Sequence, residues 1–366
     1  ITLPSKLKTI GSNAFYGTHI TSLTIPASVT DIEYYAFVGC DQLTNIKFED
    51  SDEPINFVTG YYRSFGSAAK EVYLGRDIIR TGDYPNERIF NKVTEVTIGD
   101  KVTAVPNYMF DGNSELQNVL IGTGVKYIGE YAFRNCGTSD DVTELKVELG
   151  ANVDSLATCA FQNCKKLQAI SLPSALKVIE ARAFEYTGLT TLSIPASVKR
   201  TGYYAFEGCE SLTDINIEES TESLEFVTGY YRSFGYNNSK TVFIGRDIIR
   251  TGDYWNERLF NNVTALTFGD KVTEIGPNMF NGNSELQKVR VAWTQPIGIN
   301  ANVFGNTTYQ TATLFVPGGT MDAYKADNVW SKFLKMEASS YFVNATATAG
   351  GTLTFADQTV SDGSVK

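Results

Sequence analysis

Tyrosine, tryptophan and arginine gather at two places in this chain. One group is Tyr61-Tyr62-Arg63 with Tyr84, and the other is Tyr230-Tyr231-Arg232 with Tyr254-Trp255. Such side chains bury large area yet keep a polar handle, and they dominate the hot spots of non-covalent recognition. A second candidate pair is Tyr73 and Phe243. Each is flanked by two apolar residues, Val72 and Leu74 in one case and Val242 and Ile244 in the other. On a short strand that alternation turns the flanking residues inward and the ring outward. The chemistry these residues offer is contact with a protein or a sugar, not the making of bonds.

Bond-making chemistry finds little support. The only histidine is His19, and no nucleophile or carboxylate stands at a recognisable spacing from it, so Ser-His, Cys-His and His-based acid–base schemes lack their parts. Gly122-Thr-Gly124 lacks the third glycine of a dinucleotide loop. The chain is therefore read as not an enzyme, and nothing in it calls for a cofactor. Acidic runs at Glu49–Glu53 and Glu218–Glu222 are oxygen-rich, as calcium prefers, but neither has an EF-hand pattern and both read as solvated loops. The five cysteines are too few and too irregular for a disulfide framework or a zinc site. Cys40, Cys136, Cys164 and Cys209 each follow a phenylalanine by three residues, as small buried hydrophobes would. Cys136 and Cys164 fall in neighbouring units and could approach bridging distance.

The elements that must position the candidates repeat. FVTGYYRSFG occurs at 57–66 and again at 226–235, and GRDIIRTGDY at 75–84 and again at 245–254. A block of some 170 residues has thus been copied in register. Within it runs a shorter period of roughly 22–27 residues, clearest in LTIPASVTDIEYYAFVGC from Leu23 and LSIPASVKRTGYYAFEGC from Leu192. Leu23-Thr24-Ile25 suits a very short strand with one buried side, which Pro26 ends by removing a donor. One phenylalanine per unit, from Phe15 to Phe304, makes a column that stacked units can bury. Because TGYYRSF aligns with TGYYAFEGC, the copied aromatic segments also read as repeat bodies with an inserted residue. Packing and binding both remain open for them.

The pattern L-T-x-I-x-I-P-x-S-V-T-x-I-x-x-x-A-F-x-G-C closely resembles the BspA-like class of leucine-rich repeats found in bacterial surface proteins, over roughly 1–336. The resemblance implies an α/β but β-rich, right-handed, curved leucine-rich-repeat solenoid. It would hold about fourteen repeats in two duplicated halves, with parallel strands on one side and turns or short helical segments on the other. LFVPGGTMDAYKADNVWSKF at 314–333 resembles the terminal unit of such arrays, where a short helix closes the stack with Tyr324, Trp330 and Phe333 turned inward. The half-arrays are expected at 1–169 and 170–337. Residues 338–366, rich in Thr, Ala and Gly, read either as the start of a β-rich domain or as a flexible tail.

Composition narrows the partners. The net charge of −10 argues against nucleic acid, which needs a basic stripe. No apolar run reaches the length of a membrane-spanning helix. The chain opens at Ile1 in mid-pattern, as a trimmed fragment would, and carries no signal or anchor. Two functions stay in view. One is an extracellular, adhesin-like binding module, expected to be a monomer, that engages a host protein, a glycan or another cell surface. The other is a spacer that projects a distal domain.

Overall fold

The computed structural model describes residues 1–59, 65, 69–82, 89–229, 234, 240–253 and 258–339. These form a β-solenoid of about 13 coils. One side of nearly every coil is a short strand of the Leu-x-Ile kind. Six of them, from Ser22–Ile25 to Lys146–Glu148, make one parallel sheet among the described residues. Seven more, from Thr191–Ile194 to Lys335–Ser339, make another. Burial along Ser22–Ile25, Asn45–Phe48 and Asn118–Ile121 alternates exposed, buried, exposed, buried, as the apolar–polar alternation dictates.

The other side differs from the expected turns and short helical segments. It carries a second parallel ladder, from Thr9–Ile10 to Ile78–Gly82 and then from Ala104–Val105 to Ile248–Thr251. Its strands are mostly two residues long, a less buried residue followed by a buried one, too short for any periodicity to register in the sequence. The two ladders break at different heights. The Leu-x-Ile ladder is interrupted between Glu148 and Thr191, and the second between Gly82 and Ala104. No cross-section is without a ladder, and a single apolar core runs from Leu3 to Phe333.

The phenylalanine column is as the sequence predicts. Consecutive rings from Phe15 to Phe304 stack nearly parallel, with centroids from 4.8 Å (Phe37–Phe65) to 5.9 Å (Phe280–Phe304) apart. That separation is the coil spacing, so each ring covers the one below it. A buried phenylalanine contributes about 1.5–3 kcal/mol by leaving water, and offset stacking adds about 0.5–1.5 kcal/mol.

The cysteine position has a sharper meaning than small hydrophobe. Cys40, Cys136, Cys164 and Cys209 are all free and buried, and each S–H donates to the spine carbonyl of the preceding coil, at 3.0–3.1 Å from Phe15, Phe110, Phe133 and Phe184 O. Burial pushes the Cys164 thiol up to about 12. Asn113 occupies the same place three residues after Phe110. Its Nδ2 donates to Phe90 O (3.3 Å) and Phe110 O (2.7 Å), while its Oδ1 accepts from Val93 N (2.8 Å). Asn283 repeats all three bonds in the second half. Most occupants of this position are compact donors that add a second bond to a spine carbonyl, whereas the buried Val93 and Val263, three residues after Phe90 and Phe260, have no side-chain donor.

Towards the C-terminus the chain forms two short helices, Asn306–Thr311 and Met321–Ala326, and a 3-10 turn, Trp330–Lys332. Tyr324, Trp330 and Phe333 are buried as expected. Tyr324 Oη donates to Trp293 O (2.8 Å), and Trp330 Nε1 to Ile297 O (2.8 Å). Beyond them, Lys335–Ser339 adds one more parallel strand beside Thr313–Pro317. No helix among the described residues is long and apolar enough to cross a membrane.

Replacing Asn113 tests the reading of this position. Asn113→Leu strands the buried Val93 N–H and the Phe90 carbonyl and should cost about 3 kcal/mol, whereas Asn113→Cys keeps one donor and should cost about half as much. Chemical denaturation of the two variants checks the order.

Candidate functional site

Of the residues that the sequence singles out, Tyr61, Tyr62, Arg63, Tyr84, Tyr230, Tyr231, Arg232, Tyr254 and Trp255 lie outside the described residues. The described parts of the copied strings are dominated by interior roles. Arg76 is fully buried and reaches back some 50 residues in sequence to the Pro26-Ala-Ser-Val29 corner. Its guanidinium donates to Pro26 O (2.8 Å), Ala27 O (3.0 Å) and Val29 O (2.7 Å). Arg246 does the same to Pro195 O, Ala196 O and Val198 O at 2.7–2.8 Å. Desolvation lowers both guanidinium pKa values, Arg246 to about 10. The Nε atoms of both arginines and the Oγ atoms of Ser28 and Ser197 have no partner among the described residues.

Several other residues of each string are also engaged, although Ile79 and Ile249 are exposed. Asp77 accepts from Thr103 N (2.7 Å) and Oγ1 (2.6 Å), and Asp247 from Thr273 in the same way. Arg80 and Arg250, also desolvated, donate to Asn107 O and Pro277 O. Phe57, Phe65, Phe226 and Phe234 are core. The acidic runs are likewise engaged: Glu49 accepts from Ala27 N, Glu218 from Ala196 N, and Asp52 pairs with Lys101 (2.8 Å).

Tyr73 and Phe243 project from the outer face of the Leu-x-Ile ladder at equivalent coils, both half-buried. They stand in separate sheets and do not form one patch. Tyr73 Oη donates to Asp50 Oδ1 (2.6 Å), and this bond, with some burial, pushes the phenol up to about 12. Lys47 Nζ lies 5.4 Å from the ring centroid, a cation–π contact. The ring also leans on Gly99, where a Cβ would come within 2.7 Å of the hydroxyl. Phe243 leans on Gly269 in the same manner and has no hydroxyl to tie down.

Around Tyr73 the strands Ser22–Ile25, Asn45–Phe48, Glu71–Leu74 and Glu95–Ile98 enclose a shallow cleft of about 250 Å³. Its floor is the buried row Leu23, Ile46 and Val72, and its walls are hydroxyl, amide and carboxylate groups. Register sets Lys47, Tyr73, Thr97 and Leu120 side by side. The neighbour of Leu120 on the next coil is Glu148, not Lys146 as the repeat spacing suggests, because the longer loop before that strand shifts its register by two residues. In the second half, Asn216, Phe243, Thr267, Arg290 and Phe315 form the matching row, and the Arg290 guanidinium sits 4.9 Å from the Phe315 ring.

Sequence reasoning missed a third surface. Tyr108, Tyr131 and Tyr204, each two residues before a spine phenylalanine, take left-handed φ values of 58°, 56° and 60°. Such a conformation costs a side-chain-bearing residue about 1–2 kcal/mol. Tyr108 and Tyr131 stack at 4.7 Å, with Arg134 over Tyr131 at 4.6 Å and held bidentately by Asp111. Farther along, Glu185 and Glu207 are both buried on adjacent coils. Desolvation first, and then the Glu185 charge, push the Glu207 carboxyl up to about 7. The available signal was the repeated placement of Tyr or Arg before Ala-Phe or Met-Phe. The exposed His19 is not part of any of these groups.

With this geometry in hand, comparison with known proteins is decisive on kinship. The repeat description "BspA type leucine rich repeat region (6 copies)" matches residues 1–59, 64–146, 139–257 and 230–321. The chain belongs to the BspA-type leucine-rich-repeat family. Among solved structures it is similar to a leucine-rich repeat protein from Bacteroides ovatus, at 18% identity, covering 91% of this chain and 88% of that one with a TM-score of 0.51. It also matches a leucine-rich cell surface protein from Faecalibacterium prausnitzii, at 20% identity, 93% of both chains and a TM-score of 0.40. A third match is the pneumococcal vaccine antigen PcpA, at 14% identity, 93% of this chain and 88% of that one, with a TM-score of 0.34. No curated protein matches.

The pH dependence of Glu207 is testable. A carboxyl raised from 4.5 unfolded to about 7 folded favours the fold below pH 4.5, and that contribution is lost as pH rises through 7. Glu207→Gln should therefore melt with the parent chain near pH 4 and above it at pH 8. Thermal melts across that range check it.

Proposed function

We propose that this chain is an extracellular binding module of a bacterial surface protein, and that recognition falls to the outer face of its Leu-x-Ile ladder. The observation that carries this reading is the cleft of about 250 Å³ around Tyr73. It joins an oriented aromatic ring to hydroxyl, amide and carboxylate groups on a rigid sheet. Rigid, pre-positioned polar groups beside a ring reduce the entropy lost on binding. The extended face of a repeat array is the surface such proteins commonly use. Equivalent outer positions of the two half-arrays carry different chemistry, as in Glu71 and Thr241, Glu95 and Ala265, or Leu120 and Arg290; only Thr97, matched by Thr267, is retained. The two faces then have different preferences. Residues 1–169 and 170–337 act as two half-arrays of a monomer.

Host protein, glycan and another cell surface are the partner classes. A screen of the intact chain against extracellular-matrix proteins and immobilised glycans, repeated with the Tyr73→Ser/Phe243→Ser variant, tests the reading. The variant should bind at least about tenfold more weakly while melting like the parent. Undiminished affinity refutes the ladder face as the site, and no ligand at all favours the spacer reading.

A further inference from the structure

The cleft contains a row more specific than its general polarity. Asn45, Glu71, Glu95 and Asn118 occupy the same position on four successive coils, placed side by side by the register Asn45–Glu71, Glu71–Glu95 and Glu95–Asn118. All four are exposed. Each ends in a planar amide or carboxylate, a group that can engage two neighbouring hydroxyls or an amine at once. Adjacent strands of a sheet stand about 4.8 Å apart. The row thus offers one two-pronged group per coil, at an interval close to the length of a single pyranose unit.

From this row, taken with the proposed role of the ladder face, we infer that the first half-array binds a linear amino-sugar oligosaccharide laid along the solenoid axis across the strands. Three observations select that ligand. First, the charge of the row is negative and incompletely answered: Glu71 accepts from Asn45, and the Glu95 carboxylate has no hydrogen bond or ion pair among the described residues. A ligand with amino groups complements it, while a sulfated or carboxylated glycan is repelled. Second, the apolar residues beneath the cleft, Leu23, Ile46 and Val72, are only 2–3% exposed, so there is no apolar pocket for the anchor that a protein partner would insert. Third, the adjacent row supplies what a sugar uses besides its amine. Thr24 and Thr97 present hydroxyls, Lys47 a donor, and Tyr73 a ring fixed in place by Asp50. The equivalent row of the second half reads Asp214, Thr241, Ala265 and Lys288, which breaks the series and changes its charge. The site is confined to the first half.

Titration calorimetry of the intact chain with a glucosamine hexamer, an N-acetylglucosamine hexamer and hexalysine tests the assignment. The glucosamine hexamer should bind at one site, at least about tenfold more tightly than the acetylated hexamer, because acetylation removes the charge that Glu71 and Glu95 read. The Glu71→Gln/Glu95→Gln variant keeps the shape and hydrogen-bonding reach of the row, and should lose that preference while melting like the parent. Three results overturn the inference: no binding of the glucosamine hexamer, equal binding by the double variant, or hexalysine binding as tightly as the sugar, which would mean charge alone is read. If the glucosamine hexamer fails but another ligand binds in a Tyr73-dependent way, only this inference falls and the ladder face stands.

Discussion

A single coil of this chain cannot bury its own apolar side. The rest of the structure depends on that constraint. Every inward residue finds its cover on the coil above and the coil below, so the spacing of a parallel ladder becomes the spacing of everything else. The phenylalanine rings stack at that interval, the thiols and amides after them reach one coil back to a carbonyl, and the outer side chains fall into straight rows. Regularity inside therefore generates regularity outside, and a surface row with one group per coil follows from packing without further design.

The two copied strings take their meaning from the same constraint. Where a coil departs from the regular length, something must tie it to its neighbours, and here the tie is a set of charge-assisted hydrogen bonds to backbone carbonyls. Arg76 and Arg246 each gather three carbonyl oxygens from a corner two coils away. A buried guanidinium is tolerated when most of its donors are engaged, since removing a charge from water is costly. Few substitutions could serve both ends of such a tie. Identity between the halves is thus expected where the strings meet the Pro-Ala-Ser-Val corners, which are themselves identical. The outer rows bear no such obligation and differ from one half to the other.

Much of the fold was legible in the sequence because its signals repeat. The phenylalanine column and most Leu-x-Ile strands stand where spacing places them, and Tyr324, Trp330 and Phe333 are inward as the resemblance to a terminal unit implies. The second ladder was not legible, since strands of two residues leave no periodicity to read. Nor was the partnership of Arg76 with Pro26, because a contact across two coils leaves no local pattern; only the joint recurrence of PASV and GRD at matching separations hints at it. For the site, alternation correctly turned Tyr73 and Phe243 outward. The hydrogen bond of Tyr73 to Asp50 and the Asn-Glu-Glu-Asn row required the register, which loop lengths alter by whole residue pairs, as at Lys146.

The central claim is that the described parts of the copied strings are framework and that the identity of those parts is owed to buried ties between coils. Hydrogen exchange of the Arg76→Met variant, read by mass spectrometry, tests it most directly. Loss of the guanidinium should speed exchange of the amides around the Pro26–Val29 corner and of Val29 in particular, whose N–H donates to Pro26 O, while the second half stays protected as in the parent. Unchanged protection at that corner, in a variant as stable as the parent, would contradict the account.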